Sequence, residues 1–288
     1  MDGKSEQCVQ EVSGFTIDRV LNDPAVIRTD PRYSNRHTIQ RVIFPGQKSA
    51  FLKQVSLWED PRFLTNERDI LSKLNHPQIP KLYDSRDDGR MILMEDKGEK
   101  NLGDIIHYTN KPSERLIFDF ANMLLNVLVY LQSPEQTGLE RGIVHTDIKP
   151  ANIVIGEEGL LSLIDFEFAR YDQGPLEDDI LYGTADFVDI FANNEKKYTF
   201  KNDLFGLGLT LYRLYHGRRI SPNMLRLEVN CHDRFYIRNS VEGVPEISEE
   251  VKSQELREFF LRMMSPETDV RFSSAREAID YVSGCYRK

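Results

Sequence analysis

GIVHTDIKPANIVI, Gly142 to Ile155, is the stretch on which the reading of this chain turns. It sets Asp147, Lys149 and Asn152 in one short loop ahead of an apolar run, Ile153 to Ile155. The Asp147 carboxylate can orient a hydroxyl and accept its proton as a phosphorus–oxygen bond forms, and Lys149 can offset charge on a migrating phosphoryl group. The amide oxygen of Asn152 suits magnesium without adding negative charge, while Asp165 in IDFE offers the harder anionic oxygen for the main metal position. Taken singly, these side chains are as readily explained by turn chemistry that satisfies buried backbone groups. Their joint spacing favours phosphoryl transfer. Ile153 to Ile155 and Leu160 to Ile164 read as two short strands flanking GEEG, which puts Asn152 and Asp165 at neighbouring strand ends.

Upstream of this loop, TIQRVIF (Thr38 to Phe44), the turn residues Pro45 and Gly46, and SAFLKQV (Ser49 to Val55) predict two adjacent strands. Residues 1–30 carry no clear repeat and are compatible with a flexible lead-in or a strand preceded by a short helix. Phe63, Ile70, Leu71 and Leu74 predict a helix started by Pro61, with Glu67 between the turns of its apolar face. Ile79 to Tyr83 and Met91 to Met94 read as short strands around the polar turn Ser85 to Gly89. Lys53 ends one apolar strand and Glu67 lies on the next helix. A lysine reaching alpha and beta phosphates is oriented by such a glutamate, although an ordinary surface ion pair worth about 0–1 kcal/mol would read the same in isolation.

Downstream, Pro112 and Ser113 precede a helix over Glu114 to Leu131 with a buried stripe of Ile117, Phe120, Ala121, Leu124, Val127, Leu128 and Leu131. A second begins near Lys201, where Gly206 and Gly208 lower propensity but permit close packing. Further helical patterns lie near Glu249 to Met264 and Ser273 to Val282. The expected division is a lead-in over 1–30, a small sheet-rich lobe over 31–95, a connecting region over 96–100 and a larger helical lobe over 101–288.

With 288 residues, 40% hydrophobic and 29% charged, the chain can bury a sizeable core. Its net charge of −9 argues against a broad grip on nucleic acid. Cys8, Cys231 and Cys285 are too few and scattered for a disulfide scaffold, and the start has no apolar signal core. The expectation is an intracellular, cytoplasmic protein that does not bind membranes.

The ordered set of residues over Thr38 to Arg271 resembles the eukaryotic-type protein kinase family, with Lys149 two places after Asp147 resembling its serine/threonine subgroup. The resemblance implies an α+β bilobal fold, a small sheet-rich N-lobe and a larger helical C-lobe with ATP between them. It casts Lys53 as the phosphate-contacting lysine, Glu67 as its helix partner, HTDIKPAN (His145 to Asn152) as the catalytic loop with Asp147 as base, and DFE (Asp165 to Glu167) as the magnesium motif. It further implies Met94 at the back of the adenine pocket and Glu95, Asp96 and Lys97 as the hinge. Gly183 and Thr184 resemble the substrate-side loop, Asp203 the buried aspartate that supports the catalytic loop, and Arg271 the structural arginine.

Several positions depart from the family pattern. PRYSNRH, Pro31 to His37, has no glycine where a phosphate-wrapping loop is expected. Phe51 stands where a small alanine adjoins adenine. Thr146 replaces the arginine of HRD, which removes an attraction for a phosphorylated loop and points to constitutive activity or partner control. Glu167 replaces the glycine of DFG, at an expected cost in backbone freedom. The APE place reads DIF, Asp189 to Phe191, so Arg271 needs another partner or remains hydrated. Glu177, Asp178 and Asp179 either favour a basic peptide or solvate a loop, and charged runs are more often solvent-facing.

The function expected is an ATP- and Mg2+-dependent serine/threonine protein kinase acting on a protein hydroxyl. The alternative is a pseudokinase that binds or regulates a protein, favoured by the missing glycines, Phe51, Glu167 and the absent APE. A third reading is a transferase of this shape that acts on a small molecule or moves a nucleotidyl group.

Overall fold

The computed structural model describes residues 14–33, 36–46, 48–86, 89–106, 111–174, 183, 184, 187, 189, 197–216, 251–265 and 268–286. It has an α+β fold of two compact units, one sheet-rich and one mainly helical, as the sequence predicts. The first runs to Lys97 and also takes in Asp165–Glu167. The second holds Gly98–Ile164 and continues from Phe168. Glu177 to Asp179, Ser34, Asn35, Ile190, Phe191, Cys8 and Cys231 lie outside the described residues.

In the first unit the elements are α1 (Ile17–Asn22), β1 (Ile27–Arg28), β2 (Arg32–Tyr33), β3 (Thr38–Ile43), β4 (Ser49–Gln54), α2 (Arg62–Leu71), β5 (Leu82–Arg86) and β6 (Met91–Glu95). They build one antiparallel sheet in the order β1–β3–β4–β6–β5, with β2 also on β3. Ile27 pairs with Ile43 and Tyr33 with Thr38, so β1 and β2 form a single interrupted edge along β3. The β3–β4 hairpin closes through Pro45 and Gly46, whose φ of +89° only a residue without Cβ adopts readily.

Side chains alternate across a strand, so Ala50 and Leu52 enter the core beside Val42 and Leu93 while Phe51 and Lys53 face the other way. Phe15, Ile17, Val20 and Val26 complete that core. The described part of the lead-in is thus structural: Thr16 caps α1 through the Arg19 amide, and the apolar side of α1 covers a sheet face otherwise wet.

Two local expectations shift. The strand placed at Ile79 to Tyr83 begins instead at Leu82, because the Ile79 amide closes a turn onto the His76 carbonyl and Pro80 has no N–H to pair. Ser85 and Arg86 extend it rather than turn. Helix α2 ends at Leu71, and its buried stripe is Leu64, Glu67, Ile70 and Leu71, so Glu67 sits inside the stripe and Phe63 at its margin.

The second unit contains β7 (Lys100–Asn101), α3 (Leu102–Ile106), α4 (Glu114–Gln132), α5 (Pro134–Thr137), β8 (Ile143–Val144), β9 (Ile153–Ile155), β10 (Leu161–Leu163), β11 (Arg170–Tyr171), α6 (Phe200–His216), α7 (Gln254–Met264) and α8 (Ala275–Cys285). Short sheets β10–β9–β7 and β11–β8 frame the Asp147 loop. Ser113 caps α4 through the Leu116 amide, and the helix buries the expected stripe except Phe120, together with Phe118, Leu125 and Tyr130. A Cβ on Gly206 would lie 2.9 Å from the Ile148 carbonyl oxygen, and one on Gly208 would lie 2.6 Å from Met263 Cβ. These glycines let α6 approach both the Asp147 loop and α7.

The partner of Arg271 is Asp189. Its guanidinium meets both carboxylate oxygens in a fork, with Nη2 donating to Oδ1 at 3.0 Å, and both side chains are fully buried. The aspartate at the start of DIF therefore answers for the missing glutamate. Arg271→Ala leaves that carboxylate buried without its cation and lowers stability by about 3–5 kcal/mol. Urea unfolding checks this, and a loss below about 1 kcal/mol contradicts the assignment.

Candidate active site

The first unit carries a chain of alternating charges. From β4, the Lys53 ammonium donates to Glu67 Oε2 on α2 at 2.7 Å and to Asp165 Oδ1 at 2.7 Å. Lys53 is 5% exposed and Glu67 0% exposed, so this is not the surface pair that the sequence also allowed. Burial pulls the lysine pKa down, but Asp165 and Glu67 outweigh it and hold the ammonium well above the usual range. Burial lifts the Glu67 carboxyl and Lys53 opposes that lift. Because the Phe166 amide donates to Oε1 at 3.1 Å while Lys53 occupies Oε2, both oxygens act as acceptors and we assign Glu67 as the carboxylate.

Asp165 stands at φ +70°, a left-handed conformation that an aspartate tolerates better than most residues. Glu167 is not among the positive-φ residues, so the expected backbone cost of replacing glycine there does not arise. Its side chain is 7% exposed and meets Arg36 Nη1 at 2.8 Å and His37 Nδ1 at 3.6 Å. Asn66 Nδ2 donates to its carbonyl at 3.1 Å. Burial, then the neighbouring Asp165 charge, push Glu167 up to about 7, while burial, then Lys53, pull His37 down to about 4. Arg36 also lies over the Phe63 ring, 4.8 Å from its centroid.

Met94 is buried on β6 and pairs with Phe51, which is half-buried on the Lys53 face of β4. Glu95 pairs with Lys97 at 2.8 Å, Lys97 also donates to the Pro77 carbonyl, and Asp96 Oδ2 accepts from Arg41 and Ser49. The side chains of this connecting segment are thus engaged with their own unit.

The second unit gathers Asp147, Lys149, Asn152 and Thr184. Asp147 is 1% exposed. Its Oδ1 accepts the Thr184 amide at 2.8 Å, and its Oδ2 accepts Lys149 Nζ at 2.7 Å and Asn152 Nδ2 at 3.0 Å. Lys149 Nζ also donates to Thr184 Oγ1 at 2.6 Å, and Asn152 Nδ2 to the Asp147 carbonyl at 2.9 Å. The Asn152 amide thus turns its nitrogen to Asp147, so its oxygen is the atom a cation would take.

Asp203, near the start of α6, holds the loop backbone: its carboxylate accepts the His145 amide at 2.8 Å and the Thr146 amide at 2.9 Å. Burial pushes this carboxyl up to about 7 against the pull of those amides. Thr146 adopts φ +67° and donates its hydroxyl to the Phe168 carbonyl at 2.9 Å. His145 Nδ1 accepts the Asp147 amide, which assigns the ring proton to Nε2, donated to the Ile164 carbonyl.

Sequence reasoning missed Arg36, His37 and Asn66 as partners of Glu167, and Asp189 as the partner of Arg271. The signal for the first was available: two basic residues stand in a turn lacking glycine while a carboxylate stands where DFG has glycine. Among the described residues no group of three or more His, Cys, Asp or Glu side chains is placed to hold a metal, and no helix is long and apolar enough to cross a membrane.

The protein kinase domain family model matches residues 46–282. The chain is 29% identical over 189 residues to rat (Rattus norvegicus) 3-phosphoinositide-dependent protein kinase 1, covering 60% of this chain and 32% of that protein. It is 33% identical over 161 residues to serine/threonine-protein kinase ppk11 of Schizosaccharomyces pombe, covering 54% and 48% respectively. To the probable serine/threonine-protein kinase PknB of Bifidobacterium longum it is 29% identical over 189 residues, covering 58% and 26%. The chain spans about a third to a half of the first curated relatives it matches.

Asp203→Ala strands the buried His145 amide and the part-buried Thr146 amide and costs about 1–3 kcal/mol for each left without an acceptor. Chemical denaturation measures it, and stability within about 0.5 kcal/mol of the parent rules out this anchoring role.

Proposed function

Because the chain belongs to the protein kinase domain family, we propose that it is an ATP-dependent serine/threonine protein kinase that transfers the gamma-phosphate to a protein hydroxyl. The observation that carries this reading is the Asp147 carboxylate, held at once by the Thr184 amide, Lys149 and Asn152. Such an aspartate is oriented by donors on both oxygens and keeps lone pairs to accept a hydroxyl proton. Lys149, on Asp147 and Thr184 together, would offset charge on the migrating phosphoryl group. Its place two residues after Asp147 supports a serine or threonine acceptor.

Lys53, fixed by Glu67, would hold the alpha and beta phosphates of ATP. Met94 would back the adenine, and the backbone of Glu95, Asp96 and Lys97 would meet its edge. Asn152 and Asp165 would hold magnesium. Each would offer one hard oxygen, which suits a small cation that keeps water and substrate phosphates as its other ligands. When bound, magnesium neutralises phosphate charge and orients the transferred group. Thr146 in place of the arginine is consistent with control by a partner or with none by loop phosphorylation.

Terminally labelled ATP, magnesium and a mixed serine/threonine peptide library test this directly. The folded parent transfers label to peptide or to itself, and Asp147→Asn lowers kcat by about 10²–10⁴ while leaving ATP binding in place. Lys53→Ala lowers kcat and also raises the KM for ATP. Label transfer by Asp147→Asn at the parental rate excludes Asp147 as the base. Absence of transfer by a folded parent favours the protein-binding scaffold, and product mass separates phosphate from nucleotidyl addition. Phe51→Ala lowers the KM for ATP if the ring narrows the adenine pocket, and an unchanged KM removes it from that role.

A further inference from the structure

Arg36 is the least expected member of the charged group in the first unit. It lies in the turn between β2 and β3, within the stretch PRYSNRH, where no glycine is present to bring backbone amides onto phosphates. Its guanidinium is fixed on two sides, by Glu167 at 2.8 Å and by the face of Phe63 at 4.8 Å. Yet 46% of its side chain remains open to solvent, against 7% for Lys53. Glu167 and Asp165, two residues apart, each hold one cation: Arg36 on the first and Lys53 on the second. His37 Nδ1 lies 3.6 Å from the same Glu167 carboxylate, and the residue is itself buried.

We propose that Arg36 binds the nucleotide phosphates in place of glycine backbone amides, and that Glu167 is the positioning residue that presents it. This inference rests on the ATP-dependent reading above and deepens it. An arginine fork offers several N–H donors in one plane and matches phosphate oxygens bidentately. Such a side chain is useful only when preorganised, because ordering a long cation on binding costs affinity. The carboxylate of Glu167 and the Phe63 ring supply that order before the nucleotide arrives. Where the family pattern leads one to expect glycines, a cation stands in the turn and the anion that aims it stands at position 167.

The test compares binding of ATP, ADP and adenosine to the full chain by calorimetry, with unfolding midpoints confirming that each variant is folded. Arg36→Ala weakens ATP about ten- to hundredfold, the range for a charge-assisted hydrogen bond. It weakens ADP less and leaves adenosine within about twofold. Arg36→Lys, which keeps charge but loses the fork, falls between the two. Glu167→Gln weakens ATP in the parent but adds nothing in the Arg36→Ala background, an outcome that a merely structural Glu167 would not give. Equal loss for all three ligands overturns the proposal, as does tighter ATP binding by Arg36→Ala, which would make the pair a block. ATP binding unaffected by Arg36→Ala but lost in Lys53→Ala also overturns it and leaves the kinase reading standing. A folded parent that binds none of the three refutes both.

Discussion

Burying an ammonium is costly unless carboxylates meet it at the same place, and the first unit is organised around that condition at Lys53. Alternation along β4 sends Leu52 into the core and Lys53 to the opposite face. There Glu67 interrupts the apolar stripe of α2, a position that would be a packing defect without the lysine. The second carboxylate, Asp165, is drawn in by the same ammonium. Once it is there, the Phe166 amide reaches the other oxygen of Glu67 and the Asn66 amide reaches the following carbonyls. The triplet Asp165–Glu167 thus packs with the first unit although its flanking residues belong to the second.

Carboxylates in the second unit hold backbone rather than a lysine. Asp203 accepts consecutive amides of His145 and Thr146, which makes a left-handed threonine affordable in the loop. The close pass of Gly206 over the Ile148 carbonyl brings α6, and Asp203 with it, to that loop. Asp147 then projects into a set of donors from both sides, its own loop and Thr184. Helix α6, the loop and the segment at Thr184 are therefore mutually fixed by hydrogen bonds to two buried acids.

Much of this was legible before any coordinates. Periodicity located α4 and α6, and the hairpin β3–β4 followed from its turn residues. Boundaries were less legible where a residue's backbone chemistry outweighed its apolar character: Ile79 is buried as a strand residue would be, yet its amide closes a turn. In the site, the Asp147 loop was readable because its members lie within a few residues of one another. Asn66 and Asp189 were not, since each acts across about 80 to 100 residues of sequence on a partner that no local pattern identifies. The expected penalty at Glu167 failed for a related reason. A glycine in a motif reads as a demand on the backbone, whereas here the left-handed residue is Asp165.

The departures from the family pattern also acquire a different meaning when taken in pairs. A glutamate at position 167, 5% exposed, would be a serious liability alone, and two basic residues in the preceding turn would serve no evident purpose alone. Together, Glu167 and Arg36 make a hydrogen-bonded ion pair whose carboxylate is buried. In the same way, Asp189 answers the loss of the APE glutamate by meeting Arg271 from another position. A protein that needed only the shape could fill these places with neutral side chains of similar volume, frequently without loss of stability. Keeping Asp147 buried with Lys149, Asn152 and the Thr184 amide carries the same desolvation cost. Each of these buried charges is thus met by a partner, even where the chain departs from the usual residues.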